Sequence, residues 1–583
     1  MRGRLETMDP VLNRITGVQF NNTSELDLLR VLDDPPNAAD QLRRYVAGFS
    51  EDVRDIFEKF DLNSQIARLD ASNLLYLVLG KFVNIDLGPE SVSNTEMGYL
   101  YEELIRRFSE LSNETAGEHF TPREVVELIV NLLFVEDDEL LGKPGTVKTV
   151  LDPACGTGGM LSVSEQYLAE RNPEARLEVY GQELNAETYA VCRSDMMLKD
   201  PKHAAHIVHG NSFSQDGHAG RSFDYLLANP PFGVEWKKVR DAVDEEHKRL
   251  GFAGRFGAGL PRINDGSFLF LQHMISKMKP MGEGGSRLAI VFNGSPLFTG
   301  AAGSGESEIR RWIIENDWLE AVVALPDQLF YNTGISTYFW IVTNRKAPER
   351  RGKVQLMDAR GLWEKMRKSL GEKRKRISGA QIAEIVRLYG AFEEAEHVKI
   401  LPNEAFGAIR IVVERPLRLR WEITEETLAA VASLADRKLS KLGEETREQL
   451  HTALAEHTGL FGTNREALAL ELAPVFSGFG LTRAQEGAVW EALAVRDPEA
   501  PVIIDRRGEP LPDPVLRDHE NVPLPEASVA YEVDATARLQ SVAGRWVGLS
   551  SVPGHIGPRV PRRAARDATL CLSALGCVPL ADT

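Results

Sequence analysis

Two short motifs carry the side chains whose chemistry stands out in this sequence. The first covers residues 147–159, where a β-branched run ends at Asp152. The turn that follows consists of Gly156, Thr157, Gly158 and Gly159. Glycines let the backbone come close to a ligand and present N–H groups at a helix N-terminus, and an acid at the strand end can bind a hydroxyl or ammonium group. Alone, the motif also fits an ordinary turn between a strand and a helix.

The second motif is Asn229-Pro230-Pro231-Phe232, which follows the apolar run 223–228. Its two prolines each fix φ, so the loop is rigid and can hold one side-chain oxygen and one main-chain carbonyl in fixed directions. An Asn-Pro pair is also common in a turn that only ends a strand. The glycine-rich turn upstream favours a catalytic loop, because the two motifs together supply a ligand-binding turn and an array of acceptors.

Strand and helix patterns alternate around these motifs. The strand candidates are 147–151, 177–181, 207–209, 223–228, 288–292, 319–325 and 337–343. Alternation with few hairpins predicts an α/β fold with a doubly wound, mostly parallel, seven-stranded sheet and helices on both faces. No helical pattern occurs in 326–336, so we expect the last strand to run antiparallel. Residues 1–110 have apolar residues three and four apart and are predicted to be helical.

Three further positions have candidate roles. Glu183 lies just past the second strand, where an acid can accept hydrogen bonds from ribose hydroxyls; a solvated surface glutamate is the alternative. Asn211, after the third strand, is either a contact to an adenine ring or an ordinary turn residue. Thr121 precedes an amphipathic helix and is predicted to cap it, with Pro122 at the first helical position and Glu124 as the capping-box acid.

The order of these motifs resembles that of N6-adenine DNA methyltransferases. More of the chain, from about residue 20 to about residue 540, resembles the methylation (M) subunit of type I restriction-modification systems. The matching segments are 116–123, 181–185, 255–267 and 413–417. The resemblance implies a methyltransferase (Rossmann-like) sheet, S-adenosyl-L-methionine as cofactor, and methyl transfer to N6 of adenine in DNA.

The resemblance also implies a role for each motif. The Asn229 side-chain oxygen and the Pro230 carbonyl would accept hydrogen bonds from the N6 protons, Pro231 would hold the loop, and Phe232 would stack on an adenine that has left the duplex. The loop that touches the methionine part of the cofactor would consist of Glu118, His119, Phe120 and Thr121. The other cofactor-binding residues would be Asp152, Gly156, Thr157, Gly158, Gly159, Glu183 and Asn211.

The charge of the chain bears on its partners. A net charge of −17 argues against tight DNA binding by this chain alone, because DNA-binding proteins usually present a basic face. The resemblance implies double-stranded DNA, a specificity (S) subunit shared by two M chains, and a restriction (R) subunit in the full complex. The main basic segment is 360–376. It is either a solvated helix face or a patch that contacts phosphates.

At 583 residues the chain is too long for one core. We expect an N-terminal helical domain (1–110), a methyltransferase domain (111–360), a helical C-terminal region for subunit and DNA contacts (361–540) and a divergent, disordered tail (541–583). Residues 233–265 are predicted to form a long mobile loop, which either orders over DNA or is a disordered insertion. The sequence shows no transmembrane run or signal peptide, and its four cysteines are too scattered for a disulfide framework. A reducing cytoplasm is therefore expected.

Other chemistries have weaker support. His203, His206 and His209 lack cysteines or acids at ligand spacing, so no metal site is predicted. No Pro-Cys pair occurs in the sequence, which leaves a cytosine-C5 thiolate mechanism unsupported. Two alternative functions stay open. A protein glutamine N5-methyltransferase shares the Asn-Pro-Pro motif, and a catalytically inactive assembly scaffold shares the overall architecture.

Overall fold

The structure of the protein is a computed structural model. It describes residues 11, 13, 20–88, 91–92, 96–97, 100, 121–137, 141–199, 201–301, 303–331, 333–434, 438–523, 546–548 and 568–570. The chain divides into two compact units, one formed by Met1–Gly407 with Ala568–Thr583 and the other by Ala408–Asp567. Glu118, His119 and Phe120 lie outside the described residues, as does most of the predicted tail.

A nine-stranded sheet forms the centre of the first unit. Its first eight strands are β1 (Val147–Asp152), β2 (Arg176–Glu183), β3 (Ile207–His209), β4 (Tyr225–Ala228), β5 (Arg287–Phe292), β6 (Leu319–Ala324), β7 (Tyr338–Thr343) and β8 (Lys353–Asp358). A separate hairpin follows, formed by β9 (Glu364–Leu370) and β10 (Lys373–Arg376). The ninth strand of the sheet is β11 (Val398–Pro402), and the strand order is 11-8-6-7-5-4-1-2-3.

Seven of these nine strands run in one direction. Only β7 and β11 are antiparallel to their neighbours, so the prediction of a mostly parallel α/β sheet is confirmed, and β7 is the antiparallel strand expected from residues 337–343. The sheet contains two strands more than predicted, β8 and β11, and thus continues past residue 360. Strands β4, β5 and β6 are buried along their whole length, as expected of strands covered on both faces.

Helices cover the two faces and form the N-terminal region. The helices of the first unit are α1 (Leu28–Leu32), α2 (Ala38–Ala47), α3 (Glu51–Lys59), α4 (Leu62–Ala71), α5 (Leu75–Phe82), α6 (Arg123–Phe134), α7 (Gly159–Arg171), α8 (Ala186–Lys199), α9 (Pro201–Ala204), α10 (Arg240–Leu250), α11 (Ser267–Ser276), α12 (Ser295–Phe298), α13 (Gly305–Glu315) and α14 (Gly379–Ala391). Neighbouring strand residues enter different cores: Leu227 packs with α6, α7 and α8, whereas Leu226 packs with α11 and α13. The helical prediction for residues 26–60 is confirmed, but 101–110 lie outside the described residues.

Two local predictions are wrong. Residues 233–265 are not one long loop, because they contain α10 between shorter turns. The basic segment 360–376 is not a helix face but the β9–β10 hairpin. Charged residues occur on both sides of its strands, since successive side chains point to opposite sides, and most of them are exposed whereas Lys373 is buried.

The second unit combines helices with short strands. Its helices are α15 (Glu425–Ala432), α16 (Glu444–Ala455), α17 (Arg465–Gly478) and α18 (Arg483–Ala492). Its strands are β12 (Gly407–Glu414), β13 (Leu419–Glu422), β14 (Phe461–Gly462), β15 (Ala494–Arg496), β16 (Asp518–Pro523) and β17 (Trp546–Gly548). A further strand, β18 (Ala568–Leu570), is assigned to the first unit. Leu450, Leu472 and Trp490 share one buried core.

Within the described residues, no helix combines the length and apolar character needed to cross a membrane.

A buried ion pair fastens α14 to the sheet. Arg287 at the start of β5 contacts Glu320 of β6 at 2.8 Å, and both side chains are at most 2% exposed. The Tyr389 hydroxyl of α14 donates to Glu320 Oε2 at 2.7 Å and accepts from Arg287 at 2.7 Å. Burial by itself would raise the pKa of Glu320, but the nearby guanidinium groups and this hydroxyl hold the pKa below its ordinary value. The carboxylate is therefore stable inside the protein only because its partners surround it.

We expect Tyr389→Phe to lower the free energy of unfolding by about 1–3 kcal/mol, because a buried carboxylate and guanidinium each lose a hydrogen-bond partner. Urea denaturation measures the change. The exposed Tyr76→Phe, which also removes one hydroxyl, is the control and should change stability by less than about 0.5 kcal/mol. Equal stability of the two variants would contradict the role given to this network.

Candidate active site

The candidate site lies at the carboxyl ends of three adjacent strands. Strand β1 pairs in parallel with both β2 and β4, and Asp152 is opposite Gly181 in β2. The carboxyl ends of parallel strands lie at one edge of a sheet, which is where ligands bind in open α/β folds. This pairing brings together the glycine turn after β1, Glu183 at the end of β2 and Asn229 after β4.

The glycine turn is held against β2 by backbone donors. Gly156 has a positive φ of 53°, and its N–H donates to Glu183 Oε2 at 2.8 Å. The Cys155 N–H donates to the Gln182 carbonyl at 3.0 Å. Glu183 Oε1 accepts from the Asn185 N–H at 2.7 Å. Each carboxylate oxygen can accept a further hydrogen bond, so Glu183 can orient the turn and still bind hydroxyl groups.

The glycines of the turn have two different roles. A Cβ placed at Gly156 or Gly159 would meet nothing within 4 Å, so one side of the turn is open. A Cβ at Gly158, where φ is 82°, would lie 2.7 Å from Cys192 Sγ in α8. The expectation that the backbone approaches a ligand therefore fits Gly156 and Gly159. At Gly158 a side chain is excluded because α8 packs against this position. Thr157 lies half-buried between them.

Asp152 ends β1 beneath this turn and is only 2% exposed. Its Oδ1 accepts from the Ala154 N–H at 3.0 Å. Burial raises the pKa of Asp152 to about 8, and the negative charge of Glu183 contributes to the increase. At neutral pH the carboxyl group is therefore mostly protonated, and it can donate a hydrogen bond as well as accept one.

The loop after β3 closes one side of the site. Asn211 Oδ1 accepts from the Phe213 N–H at 2.9 Å, which is the turn geometry considered as the alternative for this residue. The Ser212 hydroxyl donates to the Pro153 carbonyl at 2.6 Å. This second bond ties the loop to the glycine turn, and it is a contact that the sequence motif did not reveal.

The side chain of Asn229 is oriented by a residue far away in sequence. Its Nδ2 donates to Thr121 Oγ1 at 2.8 Å. Thr121 does not cap α6 as predicted: Pro122 occupies the cap position and no side chain completes a capping hydrogen bond. Asn229 Oδ1 is buried, and among the described residues it has no hydrogen-bond partner. Such an acceptor costs about 1–3 kcal/mol unless a ligand satisfies it.

The rest of the Asn-Pro-Pro-Phe loop supports this arrangement. Pro230 is buried, and Pro231 and Phe232 are half-buried. The ring of Phe232 packs edge-on against Phe330, with 6.2 Å between centroids. Phe330 follows β6 and belongs to no periodic pattern, so the sequence alone did not mark it. It limits the positions that the Phe232 ring can adopt.

Comparison with known proteins assigns the chain to a family. The family model for N-6 DNA methylases matches residues 92–404, more than half of the chain. The chain belongs to the N-6 DNA methylase family.

Several members with related sequences have been described. The chain is 27% identical to the type I restriction enzyme MjaIX methylase subunit of Methanocaldococcus jannaschii over 63% of this chain and 61% of that protein. It is 32% identical to the HindI methylase subunit of Haemophilus influenzae over 45% of this chain and 54% of that one. The matches thus span less than two thirds of these relatives.

A solved structure shares the fold. The type I methyltransferase subunit of Streptococcus thermophilus superimposes with a TM-score of 0.54 at 22% identity, covering 69% of this chain and 81% of that one. At this identity the likeness concerns the arrangement of strands and helices.

The raised pKa of Asp152 predicts a pH-dependent stability. Between about pH 4 and pH 8 the native protein keeps a proton that the unfolded chain releases, so wild-type stability falls as pH rises through this window. The Asp152→Asn variant has no titratable group at this position, and its side-chain oxygen can still accept the hydrogen bond from the Ala154 N–H. Its free energy of unfolding relative to wild type should rise by up to about 1.4 kcal/mol per pH unit in that range.

Chemical denaturation at several pH values measures this difference. Asp70→Asn, at an exposed position, is the control and should follow the wild-type curve. A constant difference between Asp152→Asn and wild type from pH 5 to pH 8 would show that the Asp152 proton is not retained on folding.

Proposed function

We propose that this chain transfers a methyl group from S-adenosyl-L-methionine to N6 of adenine in DNA, as the modification subunit of a type I restriction-modification complex. The observation that carries the proposal is the buried Asn229 Oδ1, which has no partner among the described residues and whose orientation is fixed by Thr121. An acceptor held in this way suits an amino group that must be bound in one orientation.

The residues around the glycine turn fit the proposed cofactor. The open side of Gly156 and Gly159 leaves room for a ligand against the backbone. Glu183 has acceptor capacity for ribose hydroxyls, and the Asp152 carboxyl lies beneath the same turn. When bound, S-adenosyl-L-methionine supplies a methyl group activated by a sulfonium. The task of the protein is then to hold the acceptor nitrogen in line with that methyl group.

The Asn-Pro-Pro-Phe loop would perform that task. The N6 lone pair of adenine is delocalised into the ring, so the amine is a poor nucleophile. Asn229 Oδ1 and the Pro230 carbonyl would accept hydrogen bonds from the two N6 protons, which concentrates electron density on the nitrogen and fixes its direction. Phe232, backed by Phe330, would stack on the base after it leaves the duplex.

The partner assignment rests on the relatives and on charge. The matched relatives are named as methylase subunits of type I restriction enzymes. A net charge of −17 fits a chain that depends on another subunit for many DNA contacts. We propose a specificity subunit that reads the DNA sequence and is shared by two copies of this chain, with a restriction subunit in the complete assembly.

We expect Asn229→Ala to lower methyl transfer by roughly 100-fold or more, because the amine loses an oriented acceptor. Affinity for S-adenosyl-L-methionine should stay within a few-fold, since Asn229 faces the other substrate. The measurement is transfer of a labelled methyl group to adenine in DNA by the chain co-purified with its specificity subunit. Thr121→Val should give a smaller loss, because it removes the orienting hydroxyl and keeps the acceptor.

The same assay separates the proposal from its alternatives. A protein glutamine methyltransferase would label a polypeptide and leave DNA unlabelled, and an inactive scaffold would label neither. Near-normal DNA methylation by Asn229→Ala would remove the basis of the proposal. Tight, sequence-specific methylation by the isolated chain would overturn the need for a specificity subunit.

The glycine turn provides a second, separate prediction. Gly159→Val places a side chain in the open space beside the turn, so affinity for S-adenosyl-L-methionine should fall by at least about tenfold while the melting temperature stays close to wild type. Gly158→Ala is the matched control: its methyl group would collide with Cys192 at an unfavourable φ, so it should lower the melting temperature. Calorimetry and thermal unfolding measure the two effects, and unchanged cofactor affinity in Gly159→Val would contradict a ligand on this side.

A further inference from the structure

The β9–β10 hairpin concentrates positive charge in an acidic chain. Between Glu364 and Arg376 it carries seven basic and two acidic residues. Three of the basic residues are neutralised: Lys373 by Glu124, Lys375 by Asp327 and Arg376 by Glu364. The other four are Lys365, Arg367, Lys368 and Arg374.

These four side chains are exposed, and within the described part of the chain none of them forms an ion pair. Lys365 and Arg367 are two residues apart in one strand, so they point to the same side. Lys365 is also directly opposite Lys375 in the hairpin register. Since Asp327 already pairs with Lys375, Lys365 and Arg367 are the cations on this side that remain available for an anion.

The hairpin is anchored beside the proposed catalytic loop. The Glu372 N–H donates to the Tyr331 carbonyl at 2.8 Å and the Arg374 N–H to the Gln328 carbonyl at 3.0 Å. Lys373 Nζ donates to the Leu329 carbonyl at 2.8 Å. All three acceptors belong to residues 327–331, which follow β6 at the edge of the sheet where β1 and β4 also end.

Two contacts connect this anchor with the candidate site. Phe330, within the anchoring segment, packs against Phe232. Glu124, which pairs with Lys373, lies in the first turn of α6, next to the segment whose Thr121 orients Asn229. The hairpin is therefore fixed to the same structural elements that hold the catalytic loop.

We infer that the exposed cations of the β9–β10 hairpin bind the phosphate backbone of DNA next to the extruded adenine. This inference rests on the proposed function. A base that enters the site stays attached to its strand, so phosphates on either side of it must pass close to the loop containing Phe232. Exposed lysine and arginine side chains, with no carboxylate to neutralise them, are the groups that bind phosphates without reading sequence.

The test removes three of these charges at once. In the variant Lys365→Gln, Arg367→Gln, Lys368→Gln, the full chain should bind a mixed-sequence DNA duplex about 10- to 100-fold more weakly than wild type at about 50 mM salt. The slope of log affinity against log salt should become shallower by about 2 to 3. Fluorescence anisotropy measures both quantities, and wild type is expected to bind under these conditions.

Two matched variants control for net charge and for side-chain size. The first control variant removes three exposed charges at the amino ends of the strands, which is the opposite edge of the sheet; it combines Lys143→Gln, Arg351→Gln and Lys353→Gln. It should bind DNA as wild type does. The second control variant keeps the hairpin charges and should also retain its affinity for DNA; it combines Lys365→Arg, Arg367→Lys and Lys368→Arg. Calorimetric binding of S-adenosyl-L-methionine should be the same in all variants, which shows that the fold is intact.

Several results would overturn the inference. These are equal loss of affinity in the hairpin and control triples, no DNA binding by wild type at low salt, or loss of specificity-subunit binding with unchanged DNA affinity. The last result would make the hairpin a docking surface for protein. Because duplex binding is measured without chemistry, failure of the hairpin inference leaves the Asn229 assay of the proposed function unaffected.

Discussion

The parallel pairing of β1 with β4 is the constraint on which the candidate site depends. Val150 is opposite Tyr225 and Leu151 opposite Leu226, with each of these residues buried. In a sheet, a shift of one residue would send every side chain of a strand to the other face. Alternate residues of β4 pack into different cores, Leu227 into one and Leu226 into the other, so such a shift would disrupt the packing of both. Packing therefore fixes the register, and the register fixes the separation between the glycine turn after Asp152 and the loop that begins at Asn229.

Polar contacts between distant segments then set the side-chain directions. Thr121 fixes the amide of Asn229, and Glu183 fixes the turn at Gly156. In both cases the group that would face a ligand keeps acceptor capacity after it has made its structural bond. A site built in this way is organised before any ligand arrives, which reduces the ordering needed during the reaction.

The basic residues of the first unit fall into two groups, those that pair with acids inside the protein and those that are exposed to solvent. Many basic residues of the first unit are used inside it: Lys277 pairs with Asp216, Arg287 with Glu320 and Lys346 with Asp317. The net charge of −17 does not distinguish the two groups, because a cation contributes the same charge whether it is buried in an ion pair or exposed. The hairpin differs because four of its cations face solvent, where they remain available for an anionic partner.

The sequence by itself determined the strands with long apolar runs, the parallel character of the sheet and the identity of both motif loops, because these features depend on residues close together in the chain. Only the tertiary structure decided that β8 and β11 join the sheet, that Gly158 packs against Cys192 and that Thr121 orients Asn229 instead of capping α6. Each of these depends on contacts between residues distant in sequence. Local propensity cannot specify such contacts, since a hydroxyl near a helix start can cap that helix or bond another loop, and packing selects between them.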